Sequence, residues 1–152
     1  MTCVKRRPIR DKLPWSYHVV IGTIRPMLMA GTRRAWSGGE HVPAEGGFIV
    51  AANHYSEVDV FMMAHFLVDH GRAPFFLAKS GLFTVPLLGR ALRHLEQVPV
   101  HRSTNRAGGA LVEAREALDA GKCIAIMPEG TLTRDPDMWP MRAKSGVGRL
   151  AL

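Results

Sequence analysis

The 152-residue sequence predicts an α/β domain whose mostly parallel or mixed sheet is flanked by helices. Three observations carry that expectation. Short apolar runs alternate with segments of helical spacing, and Gly or Pro punctuates the joins between them. The composition, with 47% hydrophobic and 22% charged residues, is that of an ordinary globular chain rather than a disordered or low-complexity one. The length suits one domain with a real core, and no internal repeat or inter-domain linker divides it. Cys3 and Cys123 are the only cysteines and form neither a disulfide framework nor a metal site, so a reducing compartment is expected.

Residues 1–39 read as a basic, partly apolar segment, and residues 40–152 as a neutral globular domain. Eight basic residues stand before Glu40 against a single acid, Asp11, so the whole net charge of +7 is carried there. Such a segment suits a polyanion, either nucleic acid or an anionic membrane surface, with a merely solvated tail as the alternative. The apolar stretch from Trp15 to Ala30 is interrupted by Arg25 and Pro26 and falls short of the roughly 20 apolar residues of a spanning helix. It also lacks a signal peptide's pattern. Trp15, Tyr17, Val19, Val20, Ile21, Ile24 and Met27 between cationic clusters fit a segment lying in a bilayer interface. A helix packed on the domain's own core fits equally well.

Beyond Gly38-Gly39 the elements follow in order. Phe48 to Ala52, opened by Gly46-Gly47, reads as a buried strand. Val58 to Asp69 is of helix length, with Phe61, Met62, His65 and Phe66 suggesting one face. Phe75 to Ala78 is a strand entered from Pro74. Leu82 to Arg93 forms short helices broken by Pro86 and Gly89, and Val98 to Val100 is a short strand. Ala107, Ala110, Leu111, Ala114, Ala117 and Leu118 recur at helical spacing, between a Ser103 or Thr104 cap and Gly121. Cys123 to Met127 is the last clear strand, and a further helix starts near Lys144.

In such folds the chemistry lies beyond the C-terminal ends of the strands. Those ends carry Asn53-His54 with Asp59, then Lys79-Ser80, then His101-Arg102, then Pro128-Glu129-Gly130-Thr131. A carboxylate at Asp59 can hold one nitrogen of His54 protonated and leave the other as a base. No Gly-x-Ser-x-Gly elbow is present and Cys123 lies inside an apolar strand, so the attacking hydroxyl is expected from the substrate. Lys79, Arg102 and the Gly130-Thr131 turn are parts of a phosphate pocket. The bland alternative is a structural histidine among surface cations.

These residues resemble a known family. Asn53-His54, four residues and Asp59 are similar to the NHxxxxD motif of the glycerolipid acyltransferases, and Pro128-Glu129-Gly130-Thr131 to their PEGT motif. Ala78-Lys79 with Leu82-Phe83, Pro86 and Gly89, and Val98 to Arg102, resemble the two intervening blocks. The likeness runs from Gly46 to the C-terminus and is strongest to bacterial 1-acyl-sn-glycerol-3-phosphate acyltransferases. It implies a glycerol-3-phosphate acyltransferase-like fold. It also implies transfer of a fatty acyl group from acyl-CoA or acyl-carrier protein to the sn-2 hydroxyl of a lysophosphatidate acceptor, giving phosphatidic acid.

His54 and Asp59 are then the catalytic pair, and Asn53, Lys79, Arg102, Glu129, Gly130 and Thr131 bind substrate. No metal or cofactor is implied, since the acyl thioester donor is a cosubstrate. The lipid acceptor places the protein at the cytoplasmic face of the cell membrane, as a peripheral or monotopic protein. Two departures stand out: Glu96 occupies a place where the family block often begins with Gly, and a further strand and Pro-containing block are missing after Lys144–Leu152. The chain is therefore expected to be truncated at its C-terminus, with an inactive acyltransferase as one outcome. A non-catalytic module for anionic lipid is the rival from another class, and nucleic acid is disfavoured because no helix-turn-helix or aromatic-basic strand motif is found. His18, His41, His65, His70 and His94 are expected to be structural or exposed. The loop of Asp135 and Asp137 is expected to be solvated, and Trp139 to be a core or membrane-edge anchor.

Overall fold

The computed structural model describes residues 7–101 and 107–152. Strands β1 (Phe48–Ala51), β2 (Pro74–Lys79), β3 (Val98–Val100) and β4 (Cys123–Ile126) form one sheet in the order β1-β4-β2-β3. All three pairings are parallel. Helices α1 (Trp15–Gly31), α2 (Asp59–Asp69), α3 (Leu88–His94), α4 (Ala107–Asp119) and α5 (Gly146–Ala151) complete the described elements, with short 3-10 turns at Gly39–His41 and Ser80–Thr84. Parallel strands need long crossovers, which α2, α3 and α4 supply in turn. The last strand in sequence, β4, inserts between β1 and β2, a placement that the linear pattern does not disclose.

The two-residue period of the strands sorts their side chains onto two faces. Ile49, Phe75, Leu77 and Ile124 meet Tyr17 and Ile21 of α1, Leu111 and Ala114 of α4, and Leu150 of α5. Phe48, Val50, Phe76, Cys123 and Ala125 meet Met63, Phe66 and Leu67 of α2 together with Val42. The sheet is therefore covered on both sides, as a parallel sheet requires. Each fully buried Leu67, Phe75 or Ile124 side chain contributes about 1.5–3 kcal/mol relative to exposure.

Helix α1 belongs to this core along one face only. Tyr17 is buried, donates its hydroxyl hydrogen to the Pro74 carbonyl and accepts a 3.1 Å hydrogen bond from Gln97. Desolvation by burial pushes the Tyr17 phenol well above its usual range. On the opposite face Trp15 is 75% and Met27 72% exposed. The helix runs through Arg25 and Pro26, the residues that interrupt its apolar stretch. Pro in a helix interior costs about 3 kcal/mol, and the packing of Tyr17 and the ion pair of Arg25 with Asp69 hold the helix across it. No helix among the described residues is long and apolar enough to cross a membrane.

The end of the sheet away from the expected site is built on buried charge. Arg72 is fully buried, pairs with Asp11 at 3.1 Å and donates to the carbonyls of Pro43, Gly46 and Gly121. Asp11 also accepts from the Ala73 N–H at 2.6 Å. Asp69, closing α2, is likewise buried and receives Arg25, Arg34 and the Trp36 indole N–H. Arg25 and Arg34 thus spend their charge on the buried Asp69, and Arg10 pairs with Glu45 on the surface. Arg7, Lys12 and Arg33 are the described cations of that segment without an ion pair.

Glu96 stands after α3 with φ of 51°, in the left-handed region where glycine is favoured. Its carboxylate is met by the Lys122 ammonium at 2.6 Å. The departure from the family's glycine is accommodated by strain at one residue, with the strand that follows intact.

Candidate active site

The strand ends bring the expected residues to one edge of the sheet. With strands about 4.8 Å apart, the four C-terminal ends span roughly 14 Å. His54 leaves β1, Pro128 to Thr131 leave the adjacent β4, Lys79 closes β2, and His101 leaves β3. Arg102 lies outside the described residues.

His54 sits in the turn between β1 and α2, and Asp59 is the first residue of α2. The Asp59 Oδ2 atom accepts from the backbone N–H of Tyr55 at 2.5 Å and of Ser56 at 2.7 Å. It also lies 3.3 Å from Nδ1 of His54. A carboxylate so placed closes the turn and sits at the positive end of α2. Partial burial raises the Asp59 pKa, but the hydrogen bonds from Ser56, His54 and Tyr55 outweigh it and hold the carboxyl below its usual range. Asp59 is therefore an anion and an acceptor only, so Nδ1 of His54 must be the donor. The Nε2 atom is then left bare, with a lone pair available as a base.

Glu129 is 5% exposed and turned inward. One oxygen accepts from the His54 backbone N–H at 3.3 Å and the other from the Met141 N–H at 3.0 Å. The Thr133 N–H adds a 2.7 Å bond to the His54 carbonyl. The peptide units on both sides of the imidazole are thus pinned to the loop after β4. Asn53 and Thr131 are exposed, and the Asn53 amide donates to the Tyr55 hydroxyl at 3.0 Å. Lys79 is exposed at the end of β2. Gly130 turns with φ of 71°.

One charged group at this edge escaped the sequence reading. The backbone N–H of Lys144 bonds the Pro128 carbonyl at 2.9 Å, and its side chain lies over Gly130. A long loop separates the two in the chain, so no local spacing links them. Glu129's role as a backbone clip was hidden for a similar reason, since its partners are amides distant in sequence.

Other groups are set aside by their surroundings. Burial pushes the Cys123 thiol up to about 12, which removes it as a nucleophile near neutrality. Trp139 is 69% exposed and so lies outside the core, and Asp135 accepts from the N–H groups of Asp137 and Trp139 within its own turn. Among the described residues no three His, Cys, Asp or Glu side chains converge as metal ligands do.

The chain is similar to known acyltransferases. The Acyltransferase family profile matches residues 33–152. A 1-acyl-sn-glycerol-3-phosphate acyltransferase of Borreliella burgdorferi is 30% identical over 113 residues, covering 73% of this chain and 44% of that protein. A 1-acyl-sn-glycerol-3-phosphate acyltransferase of Bacillus subtilis is 28% identical over 96 residues, covering 63% of this chain and 47% of that protein. The crystal structure of the 1-acyl-sn-glycerophosphate (LPA) acyltransferase from Thermotoga maritima superposes with a TM-score of 0.65 at 28% identity. That match covers 90% of this chain and 52% of the other. The chain spans less than half the length of the curated relatives it matches. By the profile match and the shared fold, the chain belongs to the acyltransferase family.

Proposed function

We propose that this chain carries the site for acyl transfer from acyl-CoA or acyl-carrier protein to the sn-2 hydroxyl of 1-acylglycerol-3-phosphate. The observation that carries the proposal is the His54–Asp59 pair, held at 3.3 Å with no hydrogen bond to the second imidazole nitrogen among the described residues. The relatives named for this substrate supply the acceptor class.

The steps balance on these residues. Nε2 of His54 takes the proton of the acceptor's hydroxyl as its oxygen attacks the thioester carbonyl carbon, and Asp59 stabilises the imidazolium that forms. The tetrahedral intermediate collapses with cleavage of the C–S bond. The departing thiolate takes the proton back from His54, leaving an ester and a free thiol. Glu129 acts through the placement of His54, and binding of the phosphate is assigned to Lys79 and Arg102. The reaction needs no metal or bound cofactor, because the thioester is itself the activated acyl group.

The acceptor is a lipid, and the exposed face of α1, with Trp15, Val19 and Met27, supports contact with an anionic membrane surface at the cytoplasmic side. Binding to phosphatidylglycerol vesicles that weakens with salt, and falls further on Trp15→Ser, is the expected outcome. Binding equal to neutral vesicles would remove the surface from the proposal.

The test of the activity is product identity. Palmitoyl-CoA and palmitoyl-carrier protein are each incubated with 1-acylglycerol-3-phosphate in detergent, and phosphatidic acid is measured by mass spectrometry. Acceptor-dependent phosphatidic acid with palmitate at sn-2 is expected from at least one donor. Binding of the lysolipid without product from either donor would favour a non-catalytic lipid module instead. Arg102→Ala should raise the acceptor KM more than the donor KM, and equal effects would argue against its phosphate role.

A further inference from the structure

We infer that Lys144 is a further substrate-binding residue, supplying the cation that meets the acceptor's phosphomonoester at the Glu129-Gly130-Thr131 turn. The inference rests on the acyltransferase reading only for the identity of the molecule that carries the phosphate. A Cβ added at Gly130 would lie 2.8 Å from Nζ of Lys144, 3.1 Å from Cε and 3.3 Å from Cδ. The ammonium therefore occupies the space that any other side chain at 130 would fill. The bond from its own N–H to the Pro128 carbonyl fixes where the side chain starts.

The charge at this point is uncompensated. Among the described residues no carboxylate is within ion-pair distance of the Lys144 ammonium, and no hydrogen bond satisfies it. Glu129, its nearest acidic neighbour along the turn, is buried and commits both oxygens to the His54 and Met141 amides. Lys144 is exposed, whereas Arg25, Arg34 and Arg72 are matched to Asp69 or Asp11. An exposed ammonium lying over a tight turn suits an anion with several strong acceptor oxygens. Strand β4, which carries the turn, lies next to β1, which carries His54, so phosphate and hydroxyl of one small acceptor can be held together.

The experiment compares wild type with Lys144→Met and Lys144→Arg. Methionine keeps an apolar stem over Gly130 while removing the charge, and thermal unfolding confirms that each variant is folded. Titration calorimetry with glycerol 3-phosphate, and with glycerol as the uncharged control, reads binding directly. Steady-state assays read KM for 1-acylglycerol-3-phosphate and for palmitoyl-CoA, whose own phosphates offer the competing source. We expect Lys144→Met to weaken glycerol 3-phosphate binding about tenfold and to raise the acceptor KM by a similar factor. The KM for palmitoyl-CoA should stay within about twofold, and Lys144→Arg should restore most of the loss.

Unchanged glycerol 3-phosphate binding in Lys144→Met, no binding in wild type, or a rise confined to the palmitoyl-CoA KM would each overturn the inference. Loss of glycerol 3-phosphate binding in Lys144→Met, with wild type forming no phosphatidic acid, would uphold it while removing the acyltransferase reading. Full turnover with an unaltered acceptor KM in Lys144→Met would do the reverse.

Discussion

Two histidine–aspartate pairs occur among the described residues, one at each end of α2, and they have opposite fates. His54 and Asp59 sit 3.3 Å apart with side chains 15% and 26% exposed. His65 and Asp69 sit 3.5 Å apart with side chains 0% and 1% exposed. The first carboxylate is held by backbone amides and one imidazole, and its histidine is partly exposed with no hydrogen bond to the other ring nitrogen among the described residues. The second is saturated by Arg25, Arg34 and Trp36, and neither nitrogen of its histidine has a hydrogen-bond partner. Residue types alone do not make a base. What distinguishes the pairs is which groups have claimed the carboxylate and whether the far nitrogen faces an open space.

Substitution at each pair should break the symmetry in opposite ways. His54→Ala is expected to lower kcat by about 10³-fold with little change in thermal midpoint. His65→Leu should leave kcat of the folded protein near wild type. A large fall in turnover from His65→Leu would place the catalytic centre at the wrong pair. Asp69→Asn should cost about 3 kcal/mol in urea unfolding, because two arginines lose their buried partner. Its activity per folded molecule should persist, and a loss below about 1 kcal/mol would show that the sealed cluster is not a keystone. Asp59→Ala should lower kcat by about 10²-fold through misorientation of the imidazole, and a near-wild-type rate would sink that role.

Protonation sharpens the same contrast. Burial lowers the His65 pKa, and the positive charges of Arg25 and Arg34 add to this, while Asp69 opposes it. The unfolded chain therefore takes up this proton first, and stability falls as pH drops below about 6.5 until the folded value is passed. That slope should flatten in His65→Leu, and an unchanged slope in chemical denaturation would contradict it. The Asp69 carboxyl is pushed up by burial, but hydrogen bonds from Arg25 and Trp36 win and hold it below its usual range. Its contribution is present above about pH 4 and is lost on further acidification through the lowered folded value. The smallest effect is at Glu96, where Glu96→Gly should relieve the positive φ and stabilise the fold by about 0.5–1 kcal/mol. Loss of the exposed Lys122 pair takes little of that back.

Much of this was legible in the residues because the patterns are local. The period of the strands, the helix lengths and the five-residue step from His54 to Asp59 are all read within one turn or strand. The insertion of β4 between β1 and β2 was not, since parallel pairing is set by long crossovers rather than by neighbours in sequence. The same holds for Lys144 over Gly130, for Glu129 beneath His54, and for Asp69. A helix-closing Asp69-His70 reads as a cap, and only the tertiary fold brings Arg25 and Arg34 to it from α1 and the segment beyond. The basic N-terminal segment looked like a free polyanion contact for that reason, and part of its charge is structural.

The most direct test of the central claim is the initial rate of thiol release from palmitoyl-CoA, with and without 1-acylglycerol-3-phosphate, in wild type and His54→Ala. The free Nε2 of His54 predicts release that depends on the acceptor and falls about 10³-fold in the variant. Acceptor-dependent release that survives His54→Ala would contradict the assignment of this pair as the base.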